Sequence, residues 1–174
     1  MTTRTIGRKT LLKYTAISVV TILLLLTIAV LVFRQETDTS ITLGRIFKTY
    51  WDELVDNVDF VAIQTILTLV TIWYVGGLSG QLIIEKTKNK FLIGGLSILI
   101  LWVSLFVGSA LTAGVINSIK YGGLGFTSAL ENWIIYGLIP FIVFGLIHGL
   151  VFGFPLGHEI KRRGEKLNAL QQQL

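Results

Sequence analysis

Residues Asn132 to Gly157 read NWIIYGLIPFIVFGLIHGLVFGFPLG, with no Asp, Glu, Lys or Arg among them. A helix rises about 1.5 Å per residue, so about 20 apolar residues cross the roughly 30 Å of a bilayer's hydrocarbon, and this stretch suffices. It also has no continuous polar face of the kind a soluble surface helix presents to water. Three more uncharged runs extend from Tyr14 to Phe33, Phe60 to Ile84 and Phe91 to Ile119. The chain therefore reads as all-α and polytopic: a four-transmembrane-helix bundle forming a single membrane domain over 1–174, with spans at 14–33, 60–84, 91–119 and 132–157.

Composition agrees. Of 174 residues, 52% are hydrophobic and 14% charged, where soluble domains carry about 25% charge. The longest piece outside the runs, Arg34 to Asp59, falls below the roughly 40 residues that an unstapled domain needs, and the sequence contains no cysteine to staple it. No separate soluble domain is expected. Lack of cysteine also removes thiolate catalysis, disulfide exchange and cysteine-ligated metal.

The net charge is +5, and its distribution argues for topology rather than for nucleic acid. Arg4, Arg8, Lys9 and Lys13 precede the first run; Lys86, Lys88 and Lys90 separate the second from the third; Lys161, Arg162, Arg163 and Lys166 follow the fourth. The alternate loops hold only Arg34, Arg45, Lys48 and Lys120, beside a majority of the acidic residues. Positive loops stay inside, which predicts cytoplasmic termini in a plasma or inner membrane. The first run exceeds the length of a signal-peptide core and ends in Val30-Leu31-Val32-Phe33, without a small-residue cleavage site, so a retained helix is expected.

Between the first two spans, residues 43–57 place Leu43, Ile46, Phe47, Tyr50, Trp51 and Leu54 at helical spacing opposite Arg45, Lys48, Asp52 and Glu53. This predicts a short extracytoplasmic amphipathic helix, with Tyr50 and Trp51 suited to the headgroup layer. Asp56, Asn57 and Asp59 favour a new helix start, hence a bend before the second span. The six residues from Glu85 to Lys90 oblige the second and third spans to be antiparallel neighbours. The tail from His158 to Leu174 is expected as a frayed, solvated helix.

Glycine is the most specific signal. In the fourth span Gly145, Gly149, Gly153 and Gly157 recur every fourth residue, with Gly137 on the same register; Gly76 and Gly80 repeat the spacing in the second, and Gly108 lies on a small-residue stripe in the third. Such stripes let another backbone approach closely, within the bundle or from a partner chain. The first span shows no stripe and is expected at the lipid-facing edge. Gly76-x3-Gly80 and Gly153-x3-Gly157 each precede a basic cluster, as two parallel copies of one hairpin would.

Chemistry is sparse. With no ionisable carboxylate or amine inside the runs, a proton-coupled carrier is disfavoured. His148 is a candidate polar site within the membrane, read foremost as a neutral imidazole bonding a neighbouring helix. Pro140 and Pro155 should kink the fourth span. Tyr121-Gly-Gly-Leu-Gly125 lacks the Lys-Ser/Thr of a phosphate loop and reads as a turn. Glu85 and Glu159 should pair with neighbouring cations. Lys86, Lys88, Lys90, Lys161, Arg162 and Arg163 are candidate contacts for anionic membrane lipid. No catalytic, metal or cofactor constellation emerges. The reading is a non-enzymatic membrane subunit or scaffold that packs against other subunits or copies of itself. The alternatives are a small oligomeric transporter or channel, and a lipid-directed enzyme using His148 or His158 with Glu159.

Overall fold

The computed structural model describes residues 2–34 and 42–172. Six α-helices follow in order: α1 (Thr3–Arg34), α2 (Leu43–Asp56), α3 (Val58–Ile84), α4 (Lys90–Tyr121), α5 (Gly123–Asn132) and α6 (Leu138–Gln171), the last two joined by a π-helical turn at Trp133–Gly137. Among the described residues four helices, α1, α3, α4 and α6, are long and apolar enough to cross a membrane. They pack as a bundle whose Lys- and Arg-rich end is called the basic end below, and whose other end carries α2 and α5.

Local chemistry explains the breaks. Thr42 accepts the Arg45 amide at 3.4 Å to start α2, and the chain leaves helical geometry at Asn57 (φ −116°, ψ 30°), whose side-chain amide donates to the Glu53 carbonyl at 2.9 Å. The bend expected between Asp56 and Asp59 is therefore centred on Asn57. Of the apolar face of α2, Ile46 is buried while Leu43, Phe47 and Trp51 remain exposed. Asn89 caps α4, its side-chain oxygen accepting the amides of Phe91 at 3.0 Å and Leu92 at 3.3 Å. At Gly122 the backbone turns through φ +77°, which only glycine adopts without strain, and α5 doubles back so that Phe126 covers Gly114 of α4. Pro140 cannot donate to the carbonyl one turn earlier, and the chain answers with the wider turn at Trp133–Gly137. Pro155 is carried inside α6 without ending it.

Two expectations need correction, one for the first helix and one for the tail. The first helix begins at Thr3 rather than near Tyr14, and its opening turns are its most buried part: Ile6 is 1% exposed, Thr10 and Leu11 0%. It also carries small residues on its packed face, with Gly7, Thr15 and Ser18 all buried. The basic residues disguise this, because Arg and Lys keep their charged heads outward while their helix packs. Outward-facing large apolar side chains concentrate from Ile17 to Val32, with Leu12 the one earlier instance among the described residues. The segment after Gly157 is no frayed tail, since α6 runs unbroken to Gln171 and Ile160 is fully buried. As expected, α3 and α4 are antiparallel neighbours, and the most extensive packing joins α4 to α6, followed by α1 to α3.

The apolar core gathers towards the basic end. Ile6, Leu11, Ile98, Leu156 and Ile160, drawn from α1, α4 and α6, are each at most 2% exposed, and α3 adds Ile72 and Ile83.

Candidate functional site

Two helix crossings are built on glycine, and they are the same crossing. A Cβ added to Gly7 of α1 would strike the Gly76 carbonyl and lie 2.7 Å from the Gly80 nitrogen of α3. One added to Gly94 of α4 would strike the Gly153 carbonyl and lie 2.9 Å from the Gly157 nitrogen of α6. The correspondence extends outward. Gly80 abuts the Thr3 carbonyl and Gly76 abuts Arg8, just as Gly157 abuts the Lys90 carbonyl and Gly153 abuts Gly95. Real Cβ atoms do not come this close to backbone, so each crossing excludes every residue but glycine at its centre, and main chain rests on main chain. The α1–α3 and α4–α6 hairpins thus repeat one geometry.

The other glycines of the expected stripes meet side chains or make ordinary contacts. Gly149 faces the Gly95 carbonyl at 3.7 Å and Gly145 faces Trp102 at 3.7 Å, both ordinary contacts. Phe106 comes within 3.0 Å of a Cβ at Gly137, and Leu67 within 2.8 Å of one at Gly108. All eight glycines singled out from the sequence are therefore engaged inside this one chain. Their partners Gly7 and Gly94 were not singled out. Gly7 lay hidden in a run of basic residues, although the spacing of Ile6, Thr10, Leu11 and Tyr14 is that of a buried helical face.

Above the α4–α6 crossing the seam is aromatic. Phe106 stacks on Phe141 at 4.5 Å, while at the crossing itself Phe91 stacks on Phe154 at 3.8 Å. His148 is 5% exposed, between Trp102 at 5.0 Å and Phe152 at 5.4 Å between ring centres. Among the described residues no three His, Asp or Glu gather where a metal could sit. Between α3 and α4 the Ser79 and Ser97 hydroxyls lie 2.5 Å apart, and Gln64 donates to Thr112 at 3.1 Å.

The charged chemistry collects at the basic end. A cleft of about 930 Å³ opens between α1 and α6, with Lys13, His158, Glu159, Arg162, Arg163 and Lys166 on its polar side. Ile6, Tyr14, Pro155, Leu167 and Leu170 form its apolar walls. Glu159 organises the polar side. It pairs with Lys13 at 2.8 Å and with Arg163 at 2.6 Å, and bonds the Tyr14 hydroxyl. Its partners thus lie on α1 as well as one turn along its own helix. Arg8 does not join them: its guanidinium lies 3.5 Å over the Trp73 ring and donates to the Trp73 carbonyl at 2.9 Å. Glu85 accepts from Thr3.

No family model, no curated protein and no solved structure matches this chain. Its own geometry is what bears on function.

The candidate lipid-contact residues divide. Arg162 and Arg163 enter the α1–α6 cleft, where Lys13, Glu159 and Lys166 join them. Lys88, Lys90 and Lys161 line a smaller cleft of about 310 Å³ beside Phe91, and the Lys90 ammonium lies 3.3 Å from His158 Nδ1. Lys86 is exposed outside both. Lys13 and Lys166 entered the sequence reading only as topology signals, because the approach of α1 to α6 cannot be read from spacing within either helix.

Proposed function

We propose that this chain is a non-enzymatic integral membrane subunit whose basic end faces the cytoplasm and whose role is to pack against other membrane helices. The observation that carries this reading is the uneven burial of its long helices. In the most apolar stretch of each, 11% of residues in α1 and 6% in α3 are buried, against 28% in α4 and 35% in α6. The glycine seams are already occupied within the chain, so the contact surface offered to a partner is the side-chain face of the first hairpin away from the basic end. Leu23, Leu24, Ile66 and Val70 are among the residues exposed there. Lipid covers such a face by default. A second chain competes by fitting it more closely, since helix association in a bilayer gains from packing rather than from escape from water.

The filled interior supports the same choice over a transporter working as a single chain. Where the helices converge, Thr10, Leu11, Leu156 and Ile160 are fully buried, leaving the helices packed against each other at that level.

Photo-crosslinking residues at positions 24 and 66, introduced into the full chain in native membranes, test the proposal. Capture of a discrete protein species, dependent on those positions, is the expected result. Lipid adducts alone, together with a monomer on native-detergent purification, would overturn it.

A further inference from the structure

We infer that the cleft between α1 and α6 binds the phosphate-bearing headgroup of an anionic phospholipid, with Arg162 and Lys166 as its principal contacts. The charge balance points to an anion. Among the described residues Glu159 is the only carboxylate on the cleft, and it stands between Lys13 and Arg163, so it offsets one of them. Arg162 and Lys166 line the same cleft and form no ion pair among the described residues. Cations outnumber the carboxylate there without counting His158.

The walls point to an amphiphile rather than a free ion. Tyr14, Pro155, Leu167 and Leu170, none of them buried, supply apolar surface beside the charged groups. Two helices of membrane-crossing length form the sides. A headgroup phosphate with its attached acyl chains meets both kinds of surface, which inorganic phosphate does not.

The repeated crossing carries no such charge at its counterpart contact among the described residues. If the two hairpins are superposed in thought on their glycines, the contact of α6 with α1 corresponds to that of α3 with α4. The α3–α4 contact closes with the Ser79–Ser97 hydrogen bond and apolar neighbours, and no ion pair joins those two helices among the described residues. The difference arises because α3 ends at Ile84, whereas α6 continues past the equivalent level to Gln171 and carries Arg162, Arg163 and Lys166 alongside α1. The cleft is an addition to the shared plan, and its surplus charge is unspent by the fold.

Native mass spectrometry of the detergent-solubilised full chain, with phosphatidylglycerol or phosphatidylcholine added, provides the test. The wild type should retain phosphatidylglycerol preferentially, and R162A/K166A should reduce that retention by about thirtyfold, given about 1 kcal/mol for each basic residue near an anionic headgroup. R4A/K9A removes two exposed cations outside the cleft and should leave retention near the wild-type level. R162K/K166R, which preserves both charges, should keep most of it. Equal losses in the two alanine pairs would mean diffuse attraction and overturn the proposal, as would equal retention of the two lipids. In a competing arm, displacement of the lipid by millimolar inorganic phosphate would assign the cleft to a soluble phosphate compound, and so would also overturn it.

Discussion

The α1–α3 and α4–α6 hairpins share a pivot and differ in everything built above it. At the pivots, Gly7 meets Gly76 and Gly80 as Gly94 meets Gly153 and Gly157. Away from the basic end, the second hairpin is closed by Phe106 and Phe141 and by Trp102 against His148, with α5 folded onto α4. The first has no such filling, and α1 from Val19 to Val32 faces outward. Backbone contact sets where two helices cross; side chains then decide whether the pair is sufficient for itself.

The comparison breaks first at the pivots. Gly7→Ala and Gly94→Ala should each destabilise by about 3 kcal/mol, because the new methyl meets a carbonyl that cannot move without its helix. Unfolding in mixed detergent micelles, followed by circular dichroism, measures this. A near-silent Gly7→Ala beside a damaging Gly94→Ala would mean that the first crossing is not held as the second is. A smaller loss, about 2 kcal/mol, is expected for Trp102→Ala, since lipid can partly replace the ring contacts with Phe141 and His148. The loss should fall on the second hairpin, read as faster hydrogen exchange in α4 and α6 with α1 unchanged. Least of the three, Gly149→Ala should change stability by no more than about 0.5 kcal/mol, its Cβ having ordinary 3.7 Å contact with the Gly95 carbonyl. A loss comparable to that of Gly94→Ala would show that the whole glycine register acts as one seam.

Much of the architecture was legible because the bilayer makes strong demands on sequence. Uncharged runs of sufficient length marked all four long helices, and the acidic cluster around Asn57 marked the break between α2 and α3. What escaped was structure beneath charge. Arg4 to Lys13 entered only as basic residues preceding the first span, yet Ile6, Gly7, Thr10 and Leu11 there pack inward, and Arg8 lays its guanidinium on Trp73. The same masking hid the buried Ile160 among Lys161, Arg162 and Arg163. For the site, spacing identified glycines on each helix but could not pair them. Nor could it bring Lys13 to Glu159, since that contact depends on how the two hairpins lie against each other.

A pivot made of main chain has a consequence for ancestry. Atoms that every amino acid shares hold the helices together, so selection has only a few glycines to guard, while the lipid-facing positions are free to exchange one aliphatic residue for another. Descendants of such a molecule would keep its shape long after their letters had ceased to agree, and their kinship would survive chiefly as an interval between glycines.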